Sequence, residues 1–343
     1  MMRACIPESI DKEVSHMKKA LILMLALILI ALPMTGTAES AIRLRYAELA
    51  ETDHPLTADA RWFAQRVEEL SGGRITVDIY DNAQLGAEKE AVQATQMGTI
   101  DICRATVTLL ADFNMPVLNV LGLPYIFVSR DHCWRVLDSE IGDRLRACPE
   151  EQGTGLVGLW FAEEGSRNLI TVDGPVTTID QLKGRKIRAN NASLMIDVVN
   201  AMGASAVPMA YTEVYTSLQS GVIEGLENIP AGYNSSSYYE VAPYYALTRH
   251  ITSVSMIVMS ETSWNRLSEE DREIIRQASK DTEQYARVSA QEFDDKAMQE
   301  LESKGVKINE VEDLEAWIEA CAPVREKYGA GYEDLIADID AMR

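Results

Sequence analysis

Two hydrophobic periods alternate along this chain, and the alternation limits its fold more than any other feature. Ile42, Leu44 and Tyr46 recur at every second position, as do Ile75, Val77 and Ile79, the spacing of strands with one buried face. Between them Leu56, Ala60, Phe63, Val67 and Leu70 recur at helical spacing, and Ser71-Gly72-Gly73 supplies the stop. Strand, helix, strand predicts a βαβ unit with parallel pairing through a right-handed crossover. The rhythm continues with a helix over Ala87–Met97, a strand over Ile100–Cys103, a helix over Asp131–Arg146 and a strand over Leu156–Phe161. A second set follows Arg167, with strands near Arg185–Arg188, Ala206–Pro208 and Val222–Glu224 and helices near Ala192–Met202 and Glu213–Gln219. This pattern predicts an α/β fold split into two lobes. From Ser268 a capped start opens a helix running to about Lys304, long enough to brace both lobes.

The chain has 343 residues, enough for about two domains. Lys18-Lys19 precede an apolar run, Ala20–Leu32, which is followed by Pro33 and the small residues Thr35-Gly36-Thr37-Ala38. Positive segment, short apolar stretch and small-residue site together read as a secretory signal peptide over residues 1–38, with Met17 the expected true start. The run is too short for a spanning helix, which needs about 20 residues. An exported, periplasmic protein is therefore expected. Losing residues 1–38 removes three acids and four bases, taking the formal charge from −21 to −22. So acidic a body disfavours nucleic-acid partners and anionic membrane surfaces, and any bound anion must be held by local cations working against the global field.

Four cysteines remain after cleavage. Cys133 and Cys148 bracket one helical segment and are the pair expected if a disulfide forms; inert buried thiols are the alternative. Their spacing fits no zinc pattern, and neither a metal nor a cofactor is expected. Gly153-Thr154-Gly155-Leu156-Val157-Gly158 matches GxGxxG, but it leads into a strand instead of opening a helix, so a dinucleotide site is not inferred. No nucleophile elbow, P-loop or HExxH sequence is present, so no catalytic residue is assigned.

The informative stretch runs from Arg167 to Asn228. Ile187 alternates with Lys186 and Arg188 on a short strand, which carries Arg188 to the strand's C-terminal end, where ligands sit in open parallel sheets. A guanidinium there suits a carboxylate held by two parallel hydrogen bonds. Together with Glu68-Glu69-Leu70-Ser71-Gly72-Gly73-Arg74, Gln84-Leu85-Gly86, Gly98-Thr99-Ile100-Asp101, Leu182-Lys183-Gly184-Arg185-Lys186-Ile187-Arg188, Gly203-Ala204-Ser205 and Glu213-Val214-Tyr215, this region resembles the solute-binding proteins of TRAP transporters, the DctP family. The resemblance implies a periplasmic-binding-protein-like fold with a ligand cleft between two lobes. Residues 39–164 with about 254–290 form the first lobe, and 165–253 with about 291–343 the second. It further implies that Arg188 clamps a substrate carboxylate, that Arg167, Asn228, Asn190, Glu88 and His250 contact the ligand, and that Arg104 lies near a polar contact position. His54 is a further polar candidate, and Tyr211 is the aromatic best suited to a hydroxyl contact. Each has a structural alternative: an arginine also serves in an internal ion pair, and a histidine in a satisfied core.

Arg104, Glu88, His54 and the asparagines offer more polar groups than a C4-dicarboxylate needs, and hydroxyl-rich ligands require such partners. The pattern also resembles family members that take hexuronates, so glucuronate or galacturonate is the expected ligand. A C4-dicarboxylate or another hydroxy- or keto-acid is the alternative. The implied partners are the small and large TRAP permease subunits, with the receptor itself a monomer. A different class, an exported enzyme acting on an acidic sugar, would have to use Glu88 with His250 as acid and base.

Overall fold

The computed structural model describes residues 41–343; the expected leader over 1–38 lies outside them. In chain order the strands are β1 (Ile42–Ala47), β2 (Ile75–Tyr80), β3 (Ile102–Thr106), β4 (Leu156–Thr171), β5 (Lys186–Ala189), β6 (Ser205–Pro208), β7 (Gly225–Asn228), β8 (Tyr244–Ser260) and β9 (Lys307–Glu310). The helices are α1 (Pro55–Leu70), α2 (Glu88–Gln96), α3 (Val107–Ala111), α4 (Arg130–Leu137), α5 (Glu140–Glu151), α6 (Ser193–Ala201), α7 (Val214–Gln219), α8 (Pro230–Ser235), α9 (Glu261–Arg266), α10 (Glu269–Ser303), α11 (Leu314–Gly329) and α12 (Glu333–Asp340). Among the described residues the strands form one sheet in the order β2-β1-β3-β8-β4-β7-β5-β6, with β9 beside β8. No helix among them is long and apolar enough to cross a membrane.

The first unit folds as its periodicity dictates. β1 and β2 pair in parallel from Ile42 opposite Ile75 to Ala47 opposite Tyr80. α1 starts at His54, whose ring accepts the Leu56 N–H, with Pro55 preset for the first turn. It buries Phe63 and Val67 fully and ends where Gly72 and Gly73 take φ of 62° and 83°, which only glycine adopts without strain. The far end of the sheet repeats the theme, with β5 parallel to both β6 and β7.

Joining the two ends are β4 and β8, an antiparallel pair of 16 and 17 residues, about three times the usual strand length. β8 meets β3 through Ser255–Met259, whereas β4 meets β7 through Asn168–Thr171, so the pair passes from one half of the sheet to the other. Its register shifts between Glu163 and Gly165 and again between Arg167 and Leu169. The sequence reading ended the first of these strands at Phe161; it runs ten residues further, because backbone pairing continues past the irregularities.

Two other expectations need correction. The helix expected over Asp131–Arg146 is two helices, because Ser139 caps a fresh start by accepting the Ile141 N–H, and a Cβ on Gly142 would meet the Leu137 carbonyl at 1.9 Å. The strand placed at Val222–Glu224 lies three residues later: Gly221 is still turning with φ of 73°, and Val222 is 53% exposed. Cys103, Cys133, Cys148 and Cys321 are free, buried thiols, so Cys133 and Cys148 form no bridge. Gly153 and Gly155 of the GxGxxG match form the turn into β4, as expected of a decoy, and Gly158 lies within the strand, where a Cβ would meet the Arg146 carbonyl at 2.1 Å.

α10 matches its reading closely. Ser268 and Asp271 close a capping box, and Asp271 also receives Arg74. Thirty-five residues give a rod of about 50 Å. It packs on α1, β4 and α8, touching both halves of the sheet, with Arg66 on Asp281 at 2.7 Å near one end and Asn234 on Glu300 at 2.7 Å near the other.

Candidate ligand-binding cleft

The C-terminal ends of the parallel strands open into a cavity with about 730 Å³ of empty space, open solvent included. His54, Glu88, Arg104, Arg167, Arg188, Asn190, Tyr211 and Asn228 all line it, so eight of the nine sequence candidates come together.

Three buried arginines dominate, and their electrostatic situations differ. On β3, Arg104 donates Nε and Nη2 to Glu48 at 2.7–3.0 Å and Nη1 to Glu164 at 3.1 Å. Burial opposes its charge, but Glu48 and Glu164 outweigh burial and hold the guanidinium well above its ordinary range. On β4, Arg167 is clasped by Glu227, which receives both Nε and Nη2, while Nη2 also reaches the Glu227 carbonyl at 3.0 Å. On β5, Arg188 is 3% exposed and donates Nε and Nη2 to the Met209 carbonyl at 3.3 and 3.0 Å. No carboxylate pairs with it among the described residues, and burial pulls its pKa below the ordinary value. The guanidinium stays charged at neutral pH and stacks on Tyr211 with its carbon 5.8 Å from the ring centre. A buried cation without a counterion is costly, and a ligand carboxylate would relieve that cost.

The bulge in β4 makes this arrangement possible. In a regular strand residues 164 and 167 point to opposite faces. The register shift between Glu163 and Gly165 leaves Glu164 without a cross-strand partner and turns both it and Arg167 toward the cavity. Glu164 then accepts from Ser253 at 2.7 Å, from Ser255 and from Arg104. Burial opposes its charge, yet Arg104 and the serines keep its carboxyl below the ordinary value.

The remaining polar groups each keep a free function after their structural bonds. Asn190 accepts the Ala192 N–H through Oδ1, leaving its amide donors to the cavity. Asn228, at the end of β7, accepts the Ile229 N–H at 2.9 Å and approaches the Tyr211 hydroxyl at 3.4 Å. His54 uses Nδ1 as an acceptor, so its neutral ring carries the proton on Nε2, and burial holds the imidazole below its ordinary pKa. Glu88 opens α2 and accepts the Thr106 N–H at 2.6 Å, with burial pushing its carboxyl up.

His250 is the exception among the nine. It is fully buried, with Nδ1 on the Thr248 hydroxyl at 2.8 Å and Nε2 3.8 Å from the Glu227 carboxylate, and it does not line the cavity. It stands beside the Glu227 carboxylate, outside hydrogen-bond distance. Sequence reasoning missed Glu48, Glu164 and Glu227; the only available signal was Glu227 beside Asn228, read for its asparagine alone.

Residues 46–331 match the family described as bacterial extracellular solute-binding protein, family 7, or DctP. This chain belongs to that family. The DctP proteins are TRAP-type extracytoplasmic receptors that bind small acids and work with membrane permease subunits. The chain is 38% identical over 287 residues to a solute-binding protein of Chromohalobacter salexigens, covering 81% of this chain and 82% of that one. Among solved structures it is similar to a TRAP periplasmic solute-binding protein of Pseudomonas putida F1 with bound D-glucuronate. The TM-score is 0.85 at 32% identity, covering 88% of this chain and 97% of the other. A Bradyrhizobium protein in complex with D-galacturonate gives a TM-score of 0.83, also at 32% identity, covering 87% and 99%.

Proposed function

We propose that this DctP protein is the receptor of a TRAP transporter for a hexuronate, glucuronate or galacturonate, whose carboxylate is held by Arg188. The observation that carries the reading is the buried Arg188 guanidinium, which faces a polar cavity without a counterion while Arg104 and Arg167 are both matched. The glucuronate- and galacturonate-bound relatives support the ligand class. Residues 1–38 direct export and are removed, and the mature monomer works in the periplasm. Residues 39–164 with about 254–290 act as one lobe, 165–253 with about 291–343 as the other, and β4 and β8 connect them. Ligand contacts from both sides favour the closed form. The ligand is released unchanged, a reading supported by the membership of this chain in a family of transport receptors.

Calorimetry on the mature protein tests this. Arg188→Ala weakens glucuronate and galacturonate binding by at least ~100-fold, the scale of truncating one partner of a desolvated charge pair. Arg188→Lys, which keeps the charge and loses the forked donors, falls between. Affinity within threefold of wild type in Arg188→Ala removes the clamp, and mass spectrometry finding a converted uronate favours an enzyme.

A further inference from the structure

The cavity is not evenly charged. On its β5 wall Arg188 is an unmatched cation. Toward β3, Arg104 and the β4 residue Glu164 line the cavity and Glu48 lies behind Arg104, so two carboxylates meet one guanidinium even before Glu88 is counted. Arg104 has little left to offer a ligand: Nε and Nη2 serve Glu48, and Nη1 serves Glu164 and Ser255. Arg167, between the walls, is neutralised by Glu227. Lys89 also lines the cavity, but it is solvent-exposed. In the sheet, β3 and β5 are separated by β8, β4 and β7, four spacings or roughly 19 Å between backbones. A ligand whose carboxylate sits on Arg188 therefore turns its other end toward the acidic wall.

We infer that the β3 wall rejects a second carboxylate, with Glu88 and Glu164 as the specificity-determining residues, so that the site takes monoanionic, hydroxyl-bearing acids and refuses dianions of the same length. This inference rests on the hexuronate-receptor reading. A hydroxyl reaching that wall donates to a carboxylate oxygen and satisfies both groups. A second carboxylate has no proton to donate and meets acceptors of its own sign. Glu88 accepts the Thr106 N–H through one oxygen and lines the cavity, where a ligand hydroxyl can reach it. Burial favours a proton on Glu88, yet Glu48 and Glu164 still exceed Arg104 in that state.

The test is calorimetry on the mature protein with glucuronate, gluconate and glucarate. Gluconate and glucarate share an open carbon chain and differ only in a terminal hydroxymethyl against a terminal carboxylate. The expected result is glucarate at least ~100-fold weaker than glucuronate, as like-charge contact in a desolvated site demands. Glu164→Gln, which keeps shape and removes charge, should raise glucarate affinity tenfold or more while weakening glucuronate; Glu88→Gln, which replaces a carboxyl that burial already pushes toward its neutral form, should give a smaller gain. Glucarate within threefold of gluconate in the wild type overturns the inference and leaves the receptor reading standing. Absence of any glucarate gain in both variants likewise overturns the assignment. Failure of glucuronate to bind at all overturns the receptor reading and this inference together.

Discussion

Arg104, Arg167 and Arg188 carry the same side chain, and what surrounds each decides its role. Two are sealed by glutamates that approach from other strands or loops; one is left open, and that one is placed to bind. Glu227 is the residue on which this distinction turns. Burial works against its charge, but Arg167 and His250 hold its carboxyl at about 2 against an ordinary 4.5. A carboxyl depressed in the folded state stabilises the protein above pH 4.5, and that contribution is lost as pH falls toward 2. Glu227→Gln leaves Arg167 buried and unmatched, so it should cost about 3 kcal/mol at pH 7 and flatten the acid limb of the stability profile. Chemical denaturation at pH 7 and pH 3 measures both effects. An unchanged midpoint at pH 7 would show that the pair contributes nothing.

At the scale of elements, α10 is held against α1 partly by a buried acid. Asp59 is 5% exposed and takes one hydrogen bond from Ser289, at 3.2 Å. Burial raises its carboxyl from 3.8 to about 7, with Glu48 pushing the same way and Ser289 and Arg104 opposing. The folded state thus holds this proton more tightly than the unfolded chain does. Its contribution is complete below about pH 4 and disappears as pH rises through 7. The melting temperature should fall by several degrees from pH 5.5 to 8, and Asp59→Asn, neutral and near-isosteric, should remove part of that fall and raise stability at pH 8. Parallel melting curves that keep their separation at both pH values would exclude Asp59 as the source. The caps and apolar stripe of α10 were legible in the sequence because they are local. The reach of β4 and β8 was not, because their irregular middle breaks the period-two signal that marks a strand.

Across the whole molecule, a receptor with a formal charge of −21 must admit an anion. The field of the body repels the ligand while buried Arg188 attracts it only at close range, so salt should screen repulsion before it touches the clamp. Stopped-flow tryptophan fluorescence should show the glucuronate on-rate rising as ionic strength goes from about 10 to 150 mM, where the screening length shrinks from about 30 to 8 Å. A falling rate would show that local cations, Lys89 among them, dominate the approach. The sequence by itself determined the α/β class, the parallel βαβ unit at the start, the long capped helix and the placement of Arg188 near a strand end. Each of these depends on neighbours within a few turns or on one strand's alternation. Only the tertiary structure decided which arginines are matched, that Glu164 and Arg167 share a face, and that His250 stands behind the wall. Those outcomes depend on a bulge and on charges that meet across 56, 60 and 23 positions of chain, from Glu48 to Arg104, Arg167 to Glu227 and Glu227 to His250. Contacts of that kind leave no periodicity in the sequence, because the distance that governs a Coulomb interaction is set by the fold.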